Sequence, residues 1–130
     1  MLIKKNFQIL IKNYPDTEYA MDAEFKIDLI NDILAAHDVG IPVVAVLHGF
    51  STAGGAYQIG MSDYVIAVKG NGMAALAGAA LLKAATGESA SNQDIGGAEM
   101  HSVITGSVEY LAKDDVESIS ISRKLINQLN

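Results

Sequence analysis

The chain of 130 residues contains no cysteine and no tryptophan. Without thiols it can form no disulfide, no thiolate nucleophile and no Cys-based zinc site, which suits a reducing compartment. Basic residues are scarce too: nine Lys and Arg against fifteen Asp and Glu give a formal charge of −6. An acidic chain without a Lys/Arg cluster repels phosphate backbones, so no nucleic-acid partner is expected. No apolar run reaches the roughly 18 residues that argue for a membrane span. The opening MLIKKNFQILIKNYPD lacks the basic, apolar, small-residue order of a signal peptide. A cytoplasmic location without membrane attachment is therefore the expectation. Half of the residues are hydrophobic and 18% are charged, the composition expected of a compact soluble domain rather than a disordered chain. This length fits one domain with a single core, or half of a larger one.

Only two prolines occur, Pro15 and Pro42, and both fall where hydrophobic patterns break. Residues 1–13 fit a helix face through Ile3, Phe7, Leu10 and Ile11, or an extended edge. From Asp22 to His37, apolar residues recur mostly at three- and four-residue spacing, predicting an amphipathic helix closed by Gly40 and Pro42. Val43–Leu47 and Tyr64–Val68 are continuous apolar runs, the mark of strands buried on both faces. Short helices are predicted at Ala53–Met61, Gly78–Ala85 and Ser91–Gly97, the last with Ser91 as N-cap and Asp94 three residues on. Lys69–Gly72 reads as a hairpin turn before a strand at Met73–Ala77, and His101–Ile104 and Val108–Leu111 read as extended. Asp114 with Glu117 forms a capping box opening a final helix to about Leu129. Helices alternating with buried strands predict a layered α/β architecture.

The glycines crowd between Gly49 and Gly106, and the pair Gly54–Gly55 opens a helix directly after a buried strand. Two adjacent glycines cost a helix roughly 1 kcal/mol each relative to alanine. Unpaired amides at a helix start can hold an oxyanion or a phosphate, and glycine also permits close packing of backbones. Two sharper motifs compete. The run GFSTA at Gly49–Ala53 approaches a nucleophile elbow, with Asp94 and His101 following Ser51 in α/β-hydrolase order; Ser51 also fits a turn. The run GNGMAA matches a dinucleotide fingerprint with Glu88 as the ribose acid, but no strand precedes Glu88. His37 suits a helix C-terminus, His48 closes a strand beside the glycine loop, and His101 follows GGAEM. No two of them share the spacing of ligands on one helix, so no metal is expected.

From about Phe25 onward the chain resembles the carboxyltransferase (β) subunits of biotin-dependent acyl-CoA carboxylases, of the propionyl-, methylcrotonyl- and geranyl-CoA types, within the crotonase/Clp superfamily. The matching pieces, in order, are IPVVAVLHG, TAGGAY, MSDYVIAV, LAG, LLKAATGE, DIGGAEMH and DDVESISISRKLINQLN. The resemblance implies a partial domain of stacked ββα units: residues 22–130 as the second half of the acyl-CoA-binding domain, residues 1–21 unassigned. It further implies that the amides of Gly54 and Gly55 form an oxyanion hole for the thioester oxygen. Ala53, Ala56, Tyr57, Gly78, Gly96 and Gly97 would border the substrate. Biotin would arrive on another chain, with biotin carboxyl carrier and biotin carboxylase subunits as partners, and coenzyme A would enter as part of the substrate in a homo-oligomer. A truncated, non-catalytic assembly chain of the same fold is the alternative. The chain departs from the family in HGF at His48–Phe50 and in alanines at Ala79 and Ala80 where prolines are usual.

Overall fold

The structure, a computed structural model, describes residues 2–129. Met1 and Asn130, and the side chain of Ile3 in the predicted helix face, lie outside the described residues. The chain divides into two compact units, residues 1–41 and 42–130.

The first unit is a pair of helices. The ambiguous first segment is helical, α1 (Leu2–Asn13), and packs against α2 (Glu18–Asp38). Pro15 and Asp16 break the chain between them. Thr17 caps α2: its hydroxyl accepts from Ala20 N–H at 3.2 Å and donates to Tyr14 C=O at 2.8 Å. Ala20, Ala23, Ile30 and Ile33 form the buried side of α2, in the three-to-four-residue rhythm seen in the sequence. The helix starts earlier than its apolar pattern because the cap residue, not the first buried side chain, sets the boundary. It ends in a Schellman motif, with Ile41 N–H on Ala36 C=O (2.8 Å) and Gly40 N–H on His37 C=O (3.1 Å). Gly40 supplies the φ of +72° that this closure requires.

The second unit carries two parallel sheets. β1 (Val44–Leu47), β3 (Tyr64–Val68) and β5 (Tyr110–Ala112) form one, in the order β1-β3-β5. β2 (Phe50–Thr52) and β4 (Met73–Ala75) form the other. Register follows from the ladders: Val46 stands opposite Ile66, Ile66 opposite Tyr110, and Ser51 opposite Ala74. The central strand β3 is buried on both faces, as its unbroken apolar run predicts. Val65 and Ala67 pack with Leu47, Ala74, Ala98 and Val108. Ile66 faces the other way, toward Ala112 and Leu125 with Ile121 beside them, under helix α7 (Asp115–Leu129). Asp63 and Glu109 guard the strand starts, their carboxylates accepting from Val43 N–H and Val65 N–H, each at 2.7 Å.

The remaining helices are short: α3 (Gly54–Gly60), α4 (Ala79–Thr86), α5 (Asn92–Gly96) and α6 (Ala98–Met100). The predicted box at Ser91 forms in full, with Ser91 Oγ accepting from Asp94 N–H and the Asp94 carboxylate accepting from Ser91 N–H. The box at α7 forms with a shift. Asp114 caps Glu117 N–H at 2.8 Å, while Glu117 reaches one residue further back, to Lys113 N–H at 2.7 Å.

Two expectations are corrected. His101–Ile104 is not extended: His101–Thr105 is a π-helical turn closed by Gly106 at φ +70°. The β-branched Val103 and Ile104 signal a strand, but the Thr105 hydroxyl bonds back to His101 C=O at 3.0 Å, as does Ser107 N–H, and winds the segment. Lys69–Gly72 is a turn but not a hairpin. Gly72 N–H returns to Val68 C=O at 2.7 Å, and β4 then pairs with β2 instead of β3. A Cβ on Gly72 would stand 2.8 Å from Leu47 O, so only glycine lets the chain cross there.

Ile66 has no exposed surface. Ile66→Ala is expected to cost about 2–5 kcal/mol through lost burial and the cavity left behind, read as a lower urea midpoint at unchanged slope.

Candidate functional site

The turn between β2 and α3 is the most constrained backbone in the second unit. Among the described residues Ala53 is the one non-glycine with positive φ (φ 50°, ψ −115°). Such a conformation costs about 1–3 kcal/mol and persists only where the surroundings impose it. Here Ala53 N–H extends the β2–β4 ladder to Ala75 C=O (3.0 Å), and Ala53 C=O accepts from Ala56 N–H (3.1 Å). Gly54 and Gly55 follow as the first residues of α3, where no preceding helical carbonyl can reach their N–H groups. A Cβ on Gly55 would lie 2.6 Å from Ser51 Oγ, so the turn is tight as well as bare.

Directly after these glycines the chain lines an apolar cavity of about 790 Å³. Ala56, Tyr57 and Ile59 of α3 form one wall, Leu47 and Val108 the floor, and Ala74–Leu76, Leu81, Leu82 and Ile95 the rest. His101 and Ser107 are polar residues of its lining; His101 Nε2 lies 2.7 Å from Ala74 O and Nδ1 3.0 Å from Thr105 Oγ1. The carbonyl only accepts, so Nε2 carries the proton and the ring ties the π-turn to β4.

The other expected substrate residues, Gly78, Gly96 and Gly97, are not among those lining this cavity. Gly78 caps α4, whose Ala79 N–H is satisfied by Asn92 Oδ1 at 2.8 Å. Gly96 lets α5 press onto β4, and Gly97 lets the chain turn back closely against Gln93 of α5. A Cβ on Gly96 would lie 2.3 Å from Ala74 O, and one on Gly97 2.2 Å from Gln93 Oε1.

A Ser51 hydrolase triad is not assembled. The Asp94 carboxylate is bonded to Ser91, and both ring nitrogens of His101 are engaged with Ala74 and Thr105. Helix capping and the π-turn take the partners that the chain order offered to Ser51. Glu88 stands after the C-terminus of α4, its N–H on Thr86 Oγ1 at 3.2 Å, and the strand that a dinucleotide site needs before it is absent. His48 instead pairs through Nδ1 with Asp115 Oδ1 at 2.8 Å. Among the described residues no three His, Asp or Glu gather as metal ligands, and no helix is long and apolar enough to cross a membrane. Sequence reasoning missed β2, the strain at Ala53 and the apolar wall from α4; the doublet Leu81–Leu82 inside a small-residue helix was the available signal for the last.

Comparison with known proteins decides the family. The sequence profile described as Carboxyl transferase domain matches residues 29–130. The chain belongs to the carboxyl transferase domain family. Within it, the chain is 43% identical over 102 residues to the probable biotin-dependent acyl-coenzyme A carboxylase beta2 subunit of Mycobacterium tuberculosis, covering 78% of this chain and 19% of that one. It is 45% identical over 91 residues to the mitochondrial methylcrotonoyl-CoA carboxylase beta chain of Arabidopsis thaliana, covering 70% and 16%. Among solved structures, the beta subunit of P. aeruginosa geranyl-CoA carboxylase superposes with a TM-score of 0.69 at 38% identity, over 88% of this chain and 20% of that one. The transcarboxylase 12S structure shares the fold, with a TM-score of 0.70 at 24% identity. These neighbours place the chain in the crotonase-like α/β fold as a partial domain, spanning about a fifth of the length of the relatives it matches. A second profile, described as Outer membrane lipoprotein, matches residues 3–45, the segment of α1 and α2, and covers too little of the chain to assign it.

Two outcomes test the scaffold of this candidate site. Gly96→Ala is expected to destabilise by about 1–3 kcal/mol through overpacking against Ala74, measured by urea unfolding. The hydrogen bonds from the Ser91 hydroxyl and Ser91 N–H hold the Asp94 carboxyl below its usual 3.8. A lowered folded-state value means that the contribution is present above the unfolded value and is lost as pH falls through the folded one. Asp94→Asn is thus expected to lower the melting temperature near neutrality and to converge on the parent chain below the ordinary aspartate range.

Proposed function

We propose that the chain forms part of an acyl-CoA carboxyltransferase site, in which Gly54 and Gly55 N–H groups hold the thioester oxygen of an acyl-CoA. The observation carrying this reading is the Ala53 turn. It fixes two side-chain-free amides immediately before Ala56 and Tyr57, which wall an apolar cavity suited to an acyl chain. Loss of the α-proton moves negative charge onto the thioester oxygen, and the α carbon of this enolate forms the new C–C bond to CO₂. The CO₂ would come from carboxybiotin, held on another chain by a biotin carboxyl carrier and loaded by a biotin carboxylase, and the ureido nitrogen left bare by decarboxylation would take the α-proton. Donors already aimed at the developing oxyanion need no reorganisation and are worth roughly 3–4 kcal/mol of barrier each where single donors have been removed. Ala53 sets the angle of the amides, Ala56 and Tyr57 bound the acyl group, and Gly78, Gly96 and Gly97 keep the wall of α4–α6 in place. No residue of this chain is assigned to biotin. Coenzyme A enters only as the carrier of the acyl group, and the relatives' subunit partners are the partners proposed here.

A second reading, a non-catalytic assembly chain of the same fold, is favoured by the two-stranded sheet. Among the described residues β2 has β4 as its strand partner and no strand on its other side, and the side chains of Phe50 and Leu76 are exposed, a template for further pairing.

Calorimetric titration with propionyl-CoA and free CoA separates the two. The first reading expects the acyl-CoA to bind and Gly55→Val to weaken it at least about tenfold, or 1.4 kcal/mol, with far-UV dichroism unchanged. Equal binding by both proteins removes the glycine assignment. Binding by neither leaves the assembly reading.

A further inference from the structure

Helices α2 and α7 each carry an outward stripe that mirrors the other. On α7 the buried side is Ser118, Ile121 and Leu125. At about 100° per residue the opposite side runs through Val116, Ser120, Arg123 and Asn127, with Ile119 and Lys124 flanking. These six residues border a groove of about 480 Å³. On α2 the buried side is Ala20, Ala23, Ile30 and Ile33, and the opposite side runs through Met21, Phe25, Asp28 and Asp32, all exposed. Large apolar groups lie bare on both: Val116 is 81% exposed and Ile119 44%, Met21 65% and Phe25 66%.

The two stripes agree in spacing, and in the order of apolar and charged groups at their first and third positions. Each steps by four, three and four residues, the rhythm of a left-handed helix–helix seam. On α2 Met21 and Phe25 precede Asp28 and Asp32; on α7 Val116, with Ile119 beside it, precedes Arg123 and Lys124, and Ser120 and Asn127 hold the second and fourth positions. Val116 to Arg123 and Met21 to Asp28 are both seven residues, about 10 Å along the axis. In parallel alignment Val116 meets Met21 and Arg123 meets Asp28 at one register, with Ser120 at Phe25, Asn127 at Asp32, and Ile119 and Lys124 on the flanks. Antiparallel alignment would bury Asp28 and Asp32 against Val116 and Ile119 without partners, which is costly.

We propose that α7 of one copy takes α2 of a second copy, the helices parallel, with Val116 and Ile119 on Met21 and Phe25, and Arg123 and Lys124 on Asp28 and Asp32. Each copy offers one of each surface, so the contact is head-to-tail and builds a ring or an open chain of subunits. It stands independently of acyl-CoA binding.

Sedimentation velocity of the full chain over a wide concentration range tests it. The expected result is association that weakens at least about tenfold in R123E/K124E, where acidic faces would meet, and likewise in D28K/D32K. An equimolar mixture of the two variants should associate again, and so should the fourfold variant D28K/D32K/R123E/K124E, in which both faces are reversed. All four substituted side chains are exposed, and far-UV dichroism verifies folding. A parent chain that stays monomeric throughout overturns the proposal. So does association that ignores both reversals, or reversals whose losses the mixture and the fourfold variant fail to restore.

Discussion

Burial of β3 on both faces is the constraint on which the second unit rests. Its residues alternate between two apolar clusters, Val65 and Ala67 on one side and Ile66 on the other. Neither cluster exists without the strand between them. Its neighbours β1 and β5 obey the same alternation: Ala45, Leu47 and Leu111 serve the first cluster, and Val44, Val46, Tyr110 and Ala112 the second. A slip of one residue in either ladder would exchange the two sets. The sheet is thereby fixed in register, and the edge at which β1 releases the chain into His48 and Gly49 is fixed with it.

The glycine turn inherits its geometry from that edge. β2 and β4 are only three residues long each, yet they hold Ala53 in a conformation that alanine avoids. They do so because Met73 N–H bonds Gly49 C=O, Ala53 N–H bonds Ala75 C=O, and Ala98 N–H bonds Gly72 C=O. Backbone hydrogen bonds at both ends of a short ladder distribute the strain over the scaffold. Close approach of α5 to β4, permitted by Gly96, adds the backing.

Features governed by local chemistry were legible in the sequence. The apolar runs of β1 and β3, the Ser91–Asp94 box and the Asp114–Glu117 start of α7 depend on residues within a few positions of one another. What escaped depends on residues far apart. β2 reads as loop because FST has no apolar run, and it is a strand only because β4 lies beside it. His101–Thr105 has the composition of a strand, yet its own bonds wind it into a π-turn that the His101 ring ties to Ala74, 27 positions away. The site was legible to the same extent. The glycine pair stands out by its cost to a helix, whereas the cavity wall, drawn from α3, β4, α4 and α5, is a property of packing.

Parallel pairing has a kinetic consequence. No strand of either sheet can be matched by a simple hairpin: β3 must find β1 across the whole of β2 and α3, and β5 must find β3 across some forty residues that include three helices. Loop closure of this kind is entropically expensive before any contact rewards it and slows folding. As the chain leaves the ribosome, β3 emerges with one flank bare and keeps it so until Tyr110–Ala112 has been made. Through that interval its five-residue apolar ladder is the segment most exposed to pairing with the wrong strand, which makes translation speed and chaperone access part of how this fold is reached.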